Sequence, residues 1–234
     1  MCIIVFKPSG EKMPKRKRLM RCWDNNPDGA GYMFPSNGLV VIKKGFMDYS
    51  DFIQSLQADY KKYGEETPFV IHFRISTQGG VKKGLTHPFP FTTEMEDMKK
   101  TRCKCQLGIA HNGIIDLTTE SYYRRKDVDY NDTMKFISEY LTLIIDRFNW
   151  YEHKGKVRLI ERLISGSRLA IMDGNGHTEL IGDWTEDNGI FYSNNYYKVE
   201  RPKYSYSSTK TTLNEKEKEN NANTTTSIGF TNTK

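Results

Sequence analysis

Nowhere does this chain run apolar for the roughly 20 residues that a membrane-spanning helix needs. With 37% hydrophobic and 27% charged residues, the composition is that of a soluble protein. Its start lacks the basic segment and long apolar run of a secretory leader, so the expected compartment is the cytoplasm. Cysteine is scarce. The four present, Cys2, Cys22, Cys103 and Cys105, are spaced neither as a disulfide framework nor as paired CxxC zinc ligands. Cys103-Lys104-Cys105 could clip a metal only with ligands from elsewhere, so buried or half-exposed free thiols are expected and no metal site is assigned. Gly79-Gly80 and Gly174-Asn175-Gly176 lack the G-x-x-x-x-G-K-[ST] pattern of a phosphate-binding loop. No internal repeat is present.

What is there is a chain of 234 residues with a net charge of +6, long enough for one large domain or two small ones. Part of the positive charge lies in Lys12-Met13-Pro14-Lys15-Arg16-Lys17-Arg18. No aromatic residue interleaves this run and no nucleic-acid-binding module surrounds it. Since Leu19, Met20, Cys22 and Trp23 follow, it reads as the solvated face of a short helix starting near Pro14, rather than a binding patch. Nucleic acid and membrane are therefore not expected partners.

Residues 2–7 read as a buried strand. Asn25-Asn26-Pro27-Asp28-Gly29-Ala30-Gly31 is dense in turn residues. Tyr32 to Phe34 and Leu39 to Lys43 form an expected hairpin about Ser36-Asn37-Gly38. Asp48 to Tyr63 reads as a helix capped by Asp48 or Ser50, with Phe52, Ile53, Leu56 and Tyr60 on one face. Pro68 to Ile75 is a buried strand carrying His72 and Arg74, and Thr77 to Pro90 is a loop. Gln106 to His111 is a strand ending at Asn112-Gly113. Asn131 caps a helix to about Arg147, and Lys156 to Ser165 is a further helix. Arg168 to Met172 and Thr178 to Gly182 make a second hairpin, and Ile190 to Ser193 a last strand. Hairpins mixed with helices point to a layered α+β domain over residues 1–202. Residues 203–234 are Ser, Thr, Asn, Lys and Glu with few apolar side chains, and a disordered tail is expected there.

Four polar clusters fall at strand ends or helix starts: Cys2; His72-Phe73-Arg74-Ile75-Ser76-Thr77; Ala110-His111-Asn112-Gly113; and Asn131-Asp132-Thr133. If aminopeptidase removes Met1, Cys2 carries a thiol and a free α-amine whose unperturbed pKa is about 8. This is a nucleophile with its own base. Arg74, in an otherwise apolar strand, needs an anion: either an internal ion pair, with Asp132 a candidate, or a substrate carboxylate. Asn112-Gly113 is either a turn or a pair of donors, one side-chain amide and one backbone N–H, aimed at an oxyanion. Asp132 is either a helix-end partner or a ligand group.

Together these residues resemble the class II, N-terminal cysteine, glutamine amidotransferases. The resemblance runs from Cys2 to about Tyr197 through Met-Cys-Ile-Ile, Asn-Pro-Asp-Gly-Ala-Gly-Tyr, His-Phe-Arg-Ile-Ser-Thr and Ala-His-Asn-Gly-Ile in family order, with Asn131-Asp132-Thr133 as a fifth motif. Asn-Asn-Pro-Asp-Gly-Ala-Gly-Tyr-Met and Thr-His-Pro-Phe-Pro resemble the short, stand-alone members found in phages and low-GC bacteria, and the expected compartment is the cytoplasm, that of the host if the protein is phage-encoded. The resemblance implies a four-layer αββα sandwich, the N-terminal nucleophile hydrolase fold. It implies that Cys2 attacks the side-chain amide of L-glutamine, that Asn112 and Gly113 hold the oxyanion, and that Arg74, Thr77 and Asp132 bind the substrate. His72, His87 and His111 support the site. No cofactor or metal is implied. The chain departs from the family at Ile3, where glycine usually follows the cysteine, and at Asn25-Asn26, where Arg-Gly is common. With no synthetase motif, the ammonia acceptor is expected to be a separate protein. Two other readings stay open: an N-terminal thiol hydrolase acting on another amide, and a non-catalytic binding domain that retains Met1.

Overall fold

A computed structural model of the chain describes residues 1–76, 80–116, 129–146 and 149–198. Thr77 and the tail expected over 203–234 lie outside the described residues. In chain order the elements are β1 (Ile3–Lys7), α1 (Arg16–Asn25), β2 (Ala30–Ser36), β3 (Leu39–Phe46), α2 (Tyr49–Tyr63), β4 (Phe69–Phe73), β5 (Phe89–Pro90), α3 (Met95–Lys99), β6 (Arg102–Cys105), β7 (Leu107–Asn112), α4 (Asp132–Phe136), α5 (Thr142–Ile144), α6 (Lys154–Ile164), β8 (Arg168–Asp173), β9 (Thr178–Ile181), β10 (Thr185–Asp187) and β11 (Ile190–Tyr192). Short 3₁₀ turns punctuate the chain at Lys83–Leu85, Trp150–Glu152 and Tyr196–Lys198.

The strands form two sheets, one ordered β10-β11-β1-β4-β2-β3-β6 and one ordered β5-β7-β8-β9, and every pairing is antiparallel. The protein is thus a mixed α+β structure with two antiparallel sheets and helices. β1 lies inside the larger sheet, which explains its unbroken apolar sequence: successive side chains point to opposite faces, and both faces are covered. Ile3 and Val5 join Tyr32, Phe34, Phe69 and Ile71 in a core with Leu19 and Cys22 of α1 and Phe52, Ile53 and Leu56 of α2. Ile4, between them, joins Met33, Val40, Ile42 and Val70 in a second core with Ala110, Ala170 and Met172 of the smaller sheet. The other face of that sheet, with Ile109, Leu169 and Ile171, packs on Met134, Phe136, Ile137, Ile160 and Ile164. Between the sheets the smaller one presents Gly108, Ala110 and Ala170 beside the larger Met172. A Cβ on Gly108 would stand 2.5 Å from Met33 Sδ.

The helices follow their sequence signals closely. Asp48 caps α2, its carboxylate accepting from the Ser50 and Asp51 N–H groups, and Gly64 (φ +80°) ends it. Asn131 caps α4 through the Met134 N–H. The helix expected to run unbroken to Arg147 instead passes through a π turn at Ile137–Leu141 and ends at Ile144. Ile137 and Leu141 are both buried. Four elements had no sequence signal strong enough to read: β5, α3, β6 and β10. Each is two to five residues long, too short for a period to repeat. The half-buried Cys103 and Cys105 sit on β6, and all four cysteines are free thiols. No helix among the described residues is long and apolar enough to cross a membrane.

Candidate active site

The register of β1 against β4 pairs Lys7 with Phe69 and continues in step to Ile3 with Phe73. Cys2 and Arg74 each adjoin that last pair along the chain. Cys2 Sγ accepts the Ile75 N–H at 3.4 Å and lies 3.5 Å from the Ile75 carbonyl. The strand end is also held from its other side. Arg74 N–H donates to the Gly29 carbonyl at 2.8 Å, Asp28 N–H donates to the Arg74 carbonyl at 3.0 Å, and the Asp28 carboxylate accepts the Ser76 N–H at 2.7 Å. The turn motif Asn-Pro-Asp-Gly-Ala-Gly-Tyr is therefore a clamp on residues 74–76. Its Gly31 permits a close approach: a Cβ there would lie 2.2 Å from the His87 carbonyl oxygen.

Cys2, Arg74, Ile75, Gly113, Asn131 and Asp132, with His87 and His111, border one cavity of about 20 Å³, room for about one water molecule. Burial pushes the Cys2 thiol pKa up; the Ile75 backbone, Arg74 and the chain's terminal amine pull the other way. Burial likewise lowers the Arg74 pKa, opposed by Cys2, Asp28 and Asp132. The Arg74 guanidinium donates to the Gly80 carbonyl at 2.8 Å, and so does the Ser76 hydroxyl at 2.9 Å. Asp132 is anchored at both oxygens. Oδ2 accepts the Ile115 N–H at 2.9 Å and Oδ1 the Thr133 N–H at 2.8 Å.

Asn112 ends β7 as a strand residue rather than a turn. Its side chain, 1% exposed, points to the space between the sheets, where Nδ2 lies 2.8 Å from Ser193 Oγ. Ser193 Oγ also accepts the Ile4 N–H at 2.8 Å, and Asn194 Nδ2 donates to the Cys2 carbonyl at 2.7 Å. The segment after β11 thus ties Asn112 to β1 and Cys2. Asn112 Oδ1 is buried without a partner among the described residues. Turning the amide over would give the Ser193 hydroxyl proton an acceptor and leave both Nδ2 protons free to donate. Gly113 has φ +145°, and a Cβ there would meet Ser167 Oγ at 2.1 Å.

The histidine rings form a buried group of which His87 and His111 reach the cavity. His72 and His87 stack with centroids 4.2 Å apart. His72 Nε2 lies 3.0 Å from the His111 carbonyl, which only accepts, so Nε2 carries the proton. Thr133 Oγ1 lies 2.8 Å from His111 Nδ1, 3.1 Å from His87 Nε2 and 3.3 Å from Asp132 Oδ1. With the Thr133 hydroxyl donating its hydrogen bond to the Asp132 carboxylate, both imidazoles donate to Oγ1. The remaining nitrogens, Nδ1 of His72 and His87 and Nε2 of His111, are then bare, and these are the ring atoms without partners among the described residues. Burial lowers the pKa of all three rings, His72 to about 3, so at neutral pH they are uncharged. Such rings orient neighbours. Among the described residues no group of three or more His, Cys, Asp or Glu side chains could hold a metal ion.

No family model and no curated protein matches this chain.

The function therefore rests on the site itself. Of the residues expected from the sequence, Cys2, Arg74, Gly113 and Asp132 line one cavity, whereas Asn112 is not among its lining residues and its side chain meets Ser193 instead. Thr77 lies outside the described residues. Ile3 faces the helix-side core, away from the face that carries Cys2 and Ile4, which is why a large side chain is tolerated beside the thiol. Asn25 and Asn26 are buried at the end of α1. Asn25 Nδ2 donates to the Tyr196 carbonyl and Asn26 Nδ2 to the Cys22 carbonyl, and neither lines the cavity. Sequence reasoning missed Ser193, Asn194 and the hub role of Thr133. Ser193-Asn194-Asn195 carries a polar signal, but one that any turn after a strand would give.

Proposed function

We propose that this protein is a glutaminase of the class II glutamine amidotransferase kind, with Cys2 as N-terminal nucleophile. One observation carries the reading: a thiol, a buried guanidinium, a carboxylate and a positive-φ glycine, drawn from four separate parts of the chain, border a single cavity. A zwitterionic amino acid requires one fixed cation and one fixed anion, and Arg74 and Asp132 supply them. The order of the three hydrophobic cores also supports the finer fold reading, a four-layer αββα N-terminal nucleophile hydrolase sandwich.

In the proposed reaction, removal of Met1 frees the Cys2 amine. The thiol, kept protonated by burial, needs a base, and that amine takes its proton as Sγ attacks the amide carbon of glutamine. The developing oxyanion receives hydrogen bonds from the Asn112 side chain and the Gly113 N–H. The amine returns the proton to the leaving nitrogen, ammonia departs and a γ-glutamyl thioester remains on Cys2. Water, deprotonated by the same amine, cleaves the thioester and releases glutamate. Arg74 binds the α-carboxylate, Asp132 the α-ammonium, with Thr77 assigned to the same substrate group. Ammonia passes to a separate synthetase, and no cofactor takes part. A glutamine side chain is larger than the 20 Å³ cavity, so the reading requires the walls to part on binding.

The test is release of glutamate and ammonia from glutamine by the processed protein. Equal amounts are expected, with Cys2→Ser inactive. Arg74→Lys is expected to raise KM for glutamine by roughly tenfold or more, because a bidentate donor is lost. Turnover unchanged in Cys2→Ser would reject the mechanism.

A further inference from the structure

A second, larger concavity lies away from Cys2. It measures about 620 Å³ and is bordered by Lys12, Lys15, Lys17, Arg18, Arg21 and Asp187, over a floor that includes Met13, Pro14 and Ile190. The basic run read as a solvated helix face is solvated, Lys12, Lys15 and Lys17 being exposed, but its cations also gather round a cavity of ligand size. Among the described lining residues, five cations stand with one carboxylate; Arg21 has an interaction of its own, and the carboxylate is already engaged, Asp187 Oδ2 accepting from Arg18 at 2.9 Å. Lys12, Lys15 and Lys17 have no ion pair among the described residues, and the first turn of α1 holds no acidic residue. Arg18 is held in place by Asp187, by the Tyr192 hydroxyl at 3.4 Å, and by the Tyr192 and Tyr197 rings, 5.8 and 5.2 Å away.

We propose that this concavity binds a phosphate-bearing small molecule carrying two or three phosphates, with its phosphates on the cationic rim and any organic part on the apolar floor. Charge density selects this class. A phosphate monoester carries about −1.5 to −2 at neutral pH, so a di- or triphosphate can match the rim within the cavity. An extended acidic peptide turns alternate side chains away and presents one carboxylate only about every 6.6 Å. Single-stranded nucleic acid is held largely by bases stacked on exposed aromatic faces, whereas Tyr192 and Tyr197 are 0% and 1% exposed. The site is independent of the glutaminase reading.

The test is titration calorimetry of the full chain with inorganic triphosphate and, separately, with ATP. Saturable binding at one site is expected for triphosphate, weakened about tenfold or more in Lys17→Glu and in Lys15→Glu. Both positions are exposed, and circular dichroism checks that the variants fold. Equal affinity for the two probes assigns the site to free polyphosphate; tighter ATP binding assigns it to a nucleotide. No saturable binding, binding unchanged in both variants, or tighter binding of hexaglutamate or a short single-stranded oligonucleotide would overturn the proposal. Because binding is read directly, a protein that binds triphosphate yet hydrolyses no glutamine separates this inference from the proposed reaction.

Discussion

Two residues test the proposed oxyanion assignment without touching Cys2. Asn112→Ala removes one proposed donor, and a fall in kcat of about 10²–10³ is expected. Ser193→Ala should act through Asn112, lowering kcat by a smaller factor, because the hydroxyl joins the Asn112 amide to the Ile4 N–H. Steady-state kinetics check both, and an Asn112→Ala enzyme with unchanged kcat contradicts the assignment. Gly113 is constrained twice, by φ +145° and by Ser167 Oγ at 2.1 Å from a Cβ. Gly113→Ala is expected to cost about 1–3 kcal/mol of stability, read from the urea midpoint, and to lose activity as the backbone N–H moves. At this scale the sequence was informative where chemistry forces rare residue types. A lone arginine directly after the buried strand β4, which ends at Phe73 and not at the expected Ile75, and a cysteine beside Met1 stand out against an apolar background. Ser193, Asn194 and Thr133 do not, because a hydroxyl or an amide at a strand end or helix start has too many ordinary uses.

Elements set the positions of these residues, and their packing carries a pH dependence. His72 on β4, His111 on β7 and His87 before β5 meet in one buried group, and burial lowers the pKa of each from the ordinary 6.5, His72 to about 3. Above pH 6.5 folded and unfolded chains both hold the rings neutral. As pH falls below 6.5, the unfolded chain takes up protons that the folded chain excludes, so stability falls. Each ring contributes up to about 1.4 kcal/mol per pH unit over the window in which only its unfolded form is protonated. The urea midpoint should drop markedly between pH 7.5 and 5.5, and a flat profile would contradict neutral burial of the rings. The approach of the Thr86-His87-Pro88 segment to β2 gives a second check. Gly31→Ala would set a Cβ 2.2 Å from a carbonyl oxygen and 2.8 Å from Lys44 Cα. Neither backbone atom can yield cheaply, so a loss of about 1–3 kcal/mol is expected. Long periodic elements were legible: β1, α2 with its Asp48 cap, and the β8–β9 hairpin lie where the pattern placed them. β6 and α3 were not. A four-residue edge strand and a five-residue helix are stabilised by the neighbours they touch, and no local pattern encodes those neighbours.

For the whole molecule, the α+β class followed from hairpins interspersed with helices, but the strand order did not. That β1 lies between β11 and β4, bringing the first residues of the chain beside Ser193 and Arg74, depends on contacts across as many as 192 residues of separation. This topology makes the start of the chain a candidate reaction centre, since an interior strand fixes Cys2 from both sides. The central claim is that the mature Cys2 is a glutamine-directed nucleophile. It is tested most directly by the intact mass of the purified protein before and after treatment with diazo-oxonorleucine, a glutamine-like electrophile. The account predicts a chain that has lost Met1 and gains a single adduct, protected by glutamine and absent in Cys2→Ser. A chain that has lost Met1 and gains no adduct, or one modified equally well in Cys2→Ser, would contradict it.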